Sequence, residues 1–336
     1  MKVLFATYPM AFHTPGGGEI QLLAYREQLS AMGIEVALFD QWAPRLLDYD
    51  VVHFFSTVGG SGHFCAFVKQ LGLPLVVSSS LWITEATRHL YPAGEIEWQL
   101  QLADKIVANS DLECDGLSAL FQVRREKFET VHNGVADTYF APSDPQVAAA
   151  TFGLEGQRYV LNVGNIEPRK NQLRLAQAMR SFPDLKLLLL GHVRDPAYLT
   201  QVLAEGGSQI IFPGAVPPAS EVLKSAYAGC AVFALPSVLE TPGLAALEAG
   251  AQGARVIVTN EGSAREYFED GAIYVDPLSV DAITSGLADG LKEGDRGRTL
   301  AATLRRFSWD KCCARLPAIY EGAIMASAVA AQQSPA

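Results

Sequence analysis

Short apolar runs alternate with amphipathic stretches along the first half of the chain. Between the runs, apolar residues recur at helical spacing, as they do from Leu22 to Leu29. The runs are short enough for strands that are buried on both faces. They lie at Val3–Thr7, Val36–Phe39, Val51–Phe55, Leu75–Val77 and Ile106–Ala108. Strands that alternate with helices predict an α/β fold with a parallel, doubly wound sheet, whose ligands gather at the carboxyl ends of the strands.

The same alternation starts again in the second half of the chain. Residues 141–156 carry two prolines among small and polar residues, and Tyr159–Val163 then begins a new apolar run. We therefore predict a hinge in this segment, with one Rossmann-like domain at 1–145 and another at 157–306. A last helical stretch at 307–327 follows them.

Two buried strands flank a helix in the second half, and this β-α-β unit carries most of the candidate chemistry. The apolar runs Ala231–Leu235 and Arg255–Val258 predict the strands. Thr241 is predicted to cap a helix that holds Pro242 and Gly243 in its first turn, because proline is tolerated at the first helical position. Backbone amides at the start of this helix would form a site for phosphate.

Two glutamates in this unit are candidates for ligand binding. Glu240 precedes the predicted helix, and Glu248 lies on the same helical face as Leu244, which should pack on the sheet. The helix has no basic residue to pair with Glu248, and a buried carboxylate without a partner is costly. A ligand rich in hydroxyl groups would supply the missing donors. The alternative is that both glutamates are solvated.

The segment PSVLETPGLAALEA, residues 236–249, resembles the signature of the family-four retaining glycosyltransferases of the GT-B fold. The resemblance implies two Rossmann-like domains that face each other across a cleft, with the helix at 307–327 crossing back to the first domain. It also implies that Glu240 contacts the donor sugar and Glu248 the ribose. Pro242 has no amide hydrogen, so the diphosphate would depend on the rest of the turn. The donor-binding residues expected there are Thr241, Gly243 and Leu244.

A second segment at a strand end carries two adjacent cations. It reads GNIEPRKN at 164–171 and resembles the phosphate-binding element of the same family. Lys170 matches the family's phosphate-binding lysine, and Asn165 stands where many members have arginine, so Arg169 is expected to supply the second charge. Both cations would neutralise the diphosphate as the sugar leaves. The alternative is a pair of surface cations. By analogy with the family, the backbone near Val216 would receive the nucleobase.

A glycine-rich turn follows the first strand and contains Gly17 and Gly18. Glycines allow backbone amides to approach phosphate closely, and the resemblance implies that this loop faces the donor phosphates. An ordinary tight turn is the alternative. The family often has a histidine after the fourth strand, where this chain has Ser80, so His13 and Ser80 are the acceptor-side candidates. His53 is a further histidine that could reach a cleft or be structural.

Composition and charge limit the partners of the chain. Its 336 residues are 49% apolar, which suits two domains with sizeable cores. The net charge is −10, and residues 1–150 hold 9 Lys and Arg against 17 Asp and Glu. An acidic first half argues against nucleic acid as a partner. It also limits membrane contact to a peripheral one. Arg124, Arg125 and Lys127 are the local candidates for such contact, and a solvated helix end is the favoured alternative for them.

The sequence also makes predictions about compartment and metals. It has no apolar run long enough to span a membrane and no leader pattern, so we expect a soluble, cytoplasmic protein. The 5 cysteines lack metal-binding spacing. Asp48 and Asp50 imitate the Asp-x-Asp metal motif of other glycosyltransferases, but they precede a strand instead of ending one. We therefore assign no metal.

The resemblance implies a retaining, metal-independent glycosyltransferase that needs no cofactor. Its donor would be a nucleotide diphosphate sugar, and its acceptor a hydroxyl group of a glycan, a glycolipid or a small molecule. The sugar would be of the mannose or glucose type, from GDP-mannose or UDP-glucose, in glycan or cell-surface polysaccharide synthesis. The Glu-Pro-Arg-Lys-Asn element favours GDP-mannose. Two alternatives remain open, a nucleotide-sugar epimerase on the same fold and a catalytically silent nucleotide-sugar-binding subunit.

Overall fold

The structure is a computed structural model that describes residues 1–292 and 296–333. Its internal contacts divide the chain into two compact units. Unit 1 comprises Met1–Asn133 and the described residues from Trp309 on, and unit 2 comprises Gly134–Ser308. The domain limits given by the sequence, 1–145, 157–306 and 307–327, stay predictions.

Strands and helices alternate through both units. The strands of the described residues are β1 Lys2–Thr7, β2 Glu35–Leu38, β3 Val51–Phe55, β4 Leu75–Ser78, β5 Lys105–Ala108, β6 Phe128–Thr130, β7 Tyr159–Val163, β8 Lys186–Leu190, β9 Ile210–Gly214, β10 Val232–Leu235, β11 Val256–Thr259 and β12 Ile273–Val275. The helices are α1 Gly17–Ala31, α2 Gly62–Gln70, α3 Ala93–Leu102, α4 Asp111–Phe121, α5 Pro145–Phe152, α6 Gln172–Met179, α7 Pro196–Gly206, α8 Glu221–Gly229, α9 Leu244–Ala251, α10 Ala264–Phe268, α11 Val280–Gly290, α12 Arg296–Leu304, α13 Trp309–Cys313 and α14 Leu316–Gln333.

Unit 1 is built on a sheet of 6 strands in the order β2-β1-β3-β4-β5-β6. All of its pairings are parallel. The central strands β3 and β4 are buried along their whole length, which explains why they read as continuous apolar runs. The C-terminal helices belong to this unit. The ring of Trp309 in α13 meets that of Tyr25 edge to face at 6.0 Å, and α14 packs on β3, β4 and β5.

Unit 2 is built on a second sheet of 6 strands, in the order β12-β11-β10-β7-β8-β9. Its pairings are also parallel. The central strands β7 and β10 have buried, apolar residues, and their carboxyl ends lead into the segments 164–171 and 236–243. Neighbouring parallel strands end at the same edge of a sheet, so the fold brings these two candidate segments together.

The start of α9 differs from the sequence prediction. The helix begins at Leu244, and the residue before it is Gly243, with φ 74° and ψ 98°, so Thr241 does not cap the helix and Pro242 lies outside it. A β-carbon on Gly243 would stand 2.7 Å from Leu235 Cδ2. The backbone at Gly243 therefore lies very close to β10 and has a φ that is unfavourable for residues with a β-carbon. For both reasons the helix cannot begin before Leu244.

No helix in the described part of the chain combines the length and the apolar content that crossing a membrane requires.

Candidate functional site

The carboxylate of Glu240 lies at the centre of the site in unit 2. Its residue is only 8% exposed, which excludes the solvated alternative for this glutamate. The Lys170 ammonium donates to Oε2 in a buried ion pair, and Ser237 Oγ donates to the same oxygen at 3.0 Å. Arg169 Nη1 is 4.0 Å from Oε1. The side chain of Lys170 is 13% exposed, so it is not a surface cation.

The pKa values of this pair follow from burial and charge. Burial alone would raise the pKa of Glu240, but the positive charges of Lys170 and Arg169 outweigh it and hold that pKa below its ordinary value. Burial lowers the pKa of Lys170, against the opposing charge of Glu240. Glu240 is therefore an ionised acceptor at neutral pH, with its negative charge directed at two cations.

Asn171 holds the Lys170 turn against the neighbouring loop. Its left-handed conformation, with φ 63°, ends the short turn Pro168–Lys170 and begins α6. Asparagine tolerates this conformation better than most residues. Its Nδ2 donates to Pro236 O at 2.8 Å and to Pro277 O at 2.7 Å. The asparagine of the Lys-Asn pair thus fixes the backbone between two strand ends, a role that the sequence analysis did not assign.

The two arginines of the site share one glutamate. Arg169 Nη2 donates to Glu167 Oε1 at 2.8 Å, and Arg194 Nη1 lies 3.6 Å from Glu167 Oε2. With the Asn165 amide in the orientation that satisfies both groups, its side-chain oxygen accepts from Arg194 Nε at 3.0 Å and Nη2 at 3.1 Å. The sequence alone does not point to Arg194, because this residue follows a different strand, β8, and no motif links it to the segment 164–171.

Opposite charges alternate through the whole cluster. The order is Arg194, Glu167, Arg169, Glu240 and Lys170, with successive charged atoms no more than 4.0 Å apart. We call these five residues the charge cluster. It holds three cations against two carboxylates, so its formal charge is positive. An anion with several negative oxygens would be attracted to it.

Glu248 has protein partners of its own on α9. Tyr227 donates its hydroxyl to Glu248 Oε2 at 2.8 Å, and the nearby Tyr139 hydroxyl also lowers the pKa of the carboxylate. Burial nevertheless raises the pKa of Glu248 to about 7. The expectation that Glu248 lacks a donor within the protein is therefore wrong, whereas its contact with the ribose stays a prediction. The Tyr139 hydroxyl also accepts from Ala219 N at 2.9 Å, in the loop that contains Val216.

The other donor-side candidates of unit 2 lie after the carboxyl ends of β9 and β10. Val216 is half-buried in the loop after β9, and Thr241 is half-buried between β10 and α9. Gly243 and Leu244 are buried at the start of α9. The structure therefore groups Asn165, Arg169, Lys170 and Glu240 in or against the charge cluster, and it places Glu248 in a separate cluster with its two tyrosines.

The candidates in unit 1 surround the start of α1 and the end of β4. Gly17 and Gly18 form the first turn of α1, where Gly16 N donates to Glu19 Oε2 at 2.6 Å. The exposed His13 lies in a short turn just before them. Ser80 Oγ donates to Gln21 Oε1 at 2.9 Å and thus takes part in a buried polar network.

His53 is a structural histidine. It is fully buried, and its two ring nitrogens lie 2.9 Å from the Tyr320 hydroxyl and 2.8 Å from Ser78 Oγ. Burial lowers its pKa to about 3, so the ring is neutral. The alternative that His53 reaches a cleft is therefore wrong.

Among the residues that the structure describes, no three His, Cys, Asp or Glu side chains gather where they could hold a metal ion. The assignment of no metal stays a prediction.

Comparisons with known proteins show the family of the chain. Residues 148–306 match the family described as glycosyl transferases group 1. D-inositol 3-phosphate glycosyltransferase of Mycolicibacterium smegmatis is 29% identical over 211 residues, which cover 61% of this chain and 46% of that protein. The protein of the same name from Mycolicibacterium vanbaalenii is 30% identical over 316 residues, 82% of this chain and 67% of that protein. O-antigen chain mannosyltransferase B of Escherichia coli is 29% identical over 237 residues, 66% of this chain and 61% of that protein.

Solved structures share the fold at low sequence identity. Sucrose-phosphate synthase from Thermosynechococcus elongatus has a TM-score of 0.81 and 20% identity, over 97% of this chain and 100% of that one. Anabaena HepE in complex with UDP-glucose has a TM-score of 0.76 and 17% identity, over 99% of this chain and 100% of that one.

The fold class is therefore GT-B, as the sequence predicted, with two doubly wound α/β units. The chain belongs to the group 1 glycosyl transferases. It spans less than half the length of the M. smegmatis relative.

Proposed function

We propose that the chain is a glycosyltransferase that moves a sugar from a nucleotide diphosphate donor to an acceptor hydroxyl. The observation that carries the proposal is the buried pair of Glu240 and Lys170 at the ends of β7 and β10, with Arg169 beside it. A carboxylate accepts hydrogen bonds from sugar hydroxyls, and neighbouring cations bind a diphosphate. The family of the chain and the names of its relatives support the same reaction class.

The cations of the site act when the bond between the sugar and the diphosphate of the donor breaks. The bond between the anomeric carbon and the diphosphate oxygen breaks, and the electron pair stays on the leaving nucleoside diphosphate. Lys170 and Arg169 stabilise the negative charge that builds up there, while the acceptor oxygen bonds to the anomeric carbon and passes its proton to the leaving diphosphate. A diphosphate also competes with Glu240 for Lys170, and we propose that donor binding exchanges this partner and frees Glu240 for the sugar.

The remaining donor contacts follow from the positions of the residues. We propose that Glu248 receives the ribose hydroxyls, that the backbone at Val216 receives the base and that the turn at Thr241, Gly243 and Leu244 contacts the diphosphate. The donor proposed is UDP-glucose or GDP-mannose. The UDP-glucose bound to HepE supports the first of these donors, and the mannosyltransferase among the relatives supports the second. The reaction proposed retains the anomeric configuration and needs neither metal nor cofactor.

Turnover of the two donors tests the reaction. We expect wild type to release UDP from UDP-glucose or GDP from GDP-mannose, slowly in water and faster with a suitable sugar acceptor. EDTA should leave the rate unchanged, and NMR of the product should show the donor's anomeric configuration. Glu240→Gln and Lys170→Met should each lower the rate at least ten-fold.

A matched control is available in the same unit. Arg180 is an exposed arginine whose Nη2 pairs with Glu205 at 2.6 Å, so Arg180→Gln removes one charge outside the site and should leave turnover unchanged. Binding without turnover across a broad acceptor panel would contradict the transferase in favour of a silent binder. Free nucleotide together with an epimerised sugar would identify an epimerase instead.

A further inference from the structure

Arg194 stands at the carboxyl end of β8, beside the segment that carries Lys170. We propose that Arg194 is a further phosphate-binding residue of this site, which contributes its charge to the binding of a nucleoside diphosphate. The inference rests on the proposed function and adds to it a residue from a third strand end.

The backbone fixes the position of Arg194. Beyond β7 and β8 the two loops continue side by side, with Ile166 and Val193 paired as an isolated parallel bridge. Ile166 N donates to His192 O at 2.8 Å, and Arg194 N donates back to Ile166 O at 3.2 Å. A β-carbon on Gly191 would lie 2.0 Å from the carbonyl oxygen of Gly164, so glycine is required where the loops come closest. Main-chain hydrogen bonds thus hold Arg194 against the segment 164–171, which carries Lys170.

The side chain of Arg194 contacts two residues of the segment 164–171, Asn165 and Glu167. Its guanidinium donates to the Asn165 side-chain oxygen through two nitrogens, at 3.0 and 3.1 Å. The side chain is 28% exposed, which leaves it within reach of a ligand while part of its surface is shielded from water. Partial shielding strengthens the attraction between a cation and an anion.

The charge cluster to which Arg194 belongs has a positive formal charge. Asn165 is neutral, and Glu167 is closer to Arg169, at 2.8 Å, than to Arg194, at 3.6 Å. The neighbouring Asp195 accepts from Tyr198 N at 2.9 Å and caps α7. Arg194 therefore extends the excess of positive charge in the charge cluster beyond Arg169, and a diphosphate is the group of the proposed donor that such an excess would bind.

Binding of UDP and GDP tests the inference. Calorimetric titration of wild type, Arg194→Gln, Arg194→Lys and the control Arg180→Gln would give their dissociation constants, with uridine and guanosine as probes that lack phosphate. For the nucleotide that wild type binds, we expect Arg194→Gln to weaken binding about ten-fold, which corresponds to about 1.4 kcal/mol. Arg194→Lys should weaken it about three-fold, because lysine keeps the charge but not the planar donor geometry. Nucleoside binding and Arg180→Gln should match wild type.

Each outcome separates this inference from the proposed function. Unchanged diphosphate affinity in Arg194→Gln would overturn the inference. Equal losses for nucleoside and diphosphate in both Arg194 variants would also overturn it, since Arg194 would then only support the fold. If Arg194→Gln does not fold, the selective loss in Arg194→Lys decides. If binding is lost in Lys170→Met but not in the Arg194 variants, the inference about Arg194 is overturned and the proposed function stays intact. If wild type binds neither nucleotide, both the inference and the proposed function are overturned.

Discussion

The ion pair of Lys170 and Glu240 is buried, and its burial determines how substitutions of the two residues change the stability of the protein. Removing one partner leaves an uncompensated charge in the interior, which typically costs about 3–5 kcal/mol. Removing both charges avoids that penalty. We therefore expect Lys170→Met and Glu240→Gln each to destabilise unit 2, and the double variant to be less destabilised than the sum of the two.

Urea unfolding of the four proteins in this double-mutant cycle measures the coupling. An additive double variant would show that the two side chains are not paired in solution.

Glu248 gives the protein a second testable property, a dependence of stability on pH. Its pKa is about 7 in the folded protein against 4.5 for a free glutamate. The folded state therefore holds the proton more tightly than the unfolded chain, and stability falls as the pH rises from 4.5 to about 7. The destabilisation is fully present above pH 7 and absent below pH 4.5.

Glu248→Gln removes this titration and retains an oxygen that can accept from Tyr227. We expect this variant to melt at a higher temperature than wild type at pH 8, and the difference to shrink as the pH falls towards 4.5. Glu221→Gln, at an exposed position on α8, is the control. A Glu248→Gln advantage that is constant with pH would refute the assigned ionisation.

Sequence reasoning identified the charged residues of the site better than their partners. Lys170, Arg169 and Glu240 stood out because they lie in short segments with a recognisable order. The partners Tyr227 and Arg194 lie on other elements. No local spacing links them to the site, because the contacts form only when separate strands and helices pack.

At the scale of elements, the start of α9 depends on close backbone packing. Gly243 has φ 74°, and an added β-carbon would meet Leu235 at 2.7 Å. Gly253, just after the same helix, has φ 82° but nothing within 4 Å of such an atom. We expect Gly253→Ala to cost about 1 kcal/mol for the backbone conformation, and Gly243→Ala to cost at least twice as much because of the added clash.

Chemical unfolding of the two variants compares these costs directly. Equal destabilisation would show that Leu235 moves aside without penalty, and that the helix start is not set by this contact.

The strands were easier to predict than this helix start. Parallel strands buried on both faces read as apolar runs, so β1, β3 and β7 are visible in the sequence. Thr241 and Pro242 imitate a cap and a first helical residue, but the contact of Gly243 with β10 overrides that local signal. The strand β6 was missed, because its residues Phe128–Thr130 include glutamate and form no apolar run.

At the scale of the whole molecule, each unit has its own sheet and its own core, and the donor-side candidates other than Gly17 and Gly18 lie in unit 2. Residues 231–258 and 164–171 meet there because they follow neighbouring strands, β10 and β7, in the sheet order. The predicted fold class places both segments at the carboxyl ends of parallel strands, but the order of the apolar runs along the chain does not make β7 and β10 neighbours. The contacts that join the segment from Trp309 on to unit 1 are contained in no local pattern of apolar residues, and only the family resemblance implied them.

The central claim is that the charge cluster of unit 2 binds a nucleotide diphosphate sugar, and thermal unfolding tests it most directly. A ligand at about 100 times its Kd adds about 2.7 kcal/mol to the free energy of unfolding. We predict that UDP-glucose or GDP-mannose raises the melting temperature of wild type, and that the folded double variant with Lys170→Met and Glu240→Gln shows no rise. No rise in wild type with either compound, or an equal rise in the double variant, would contradict the claim.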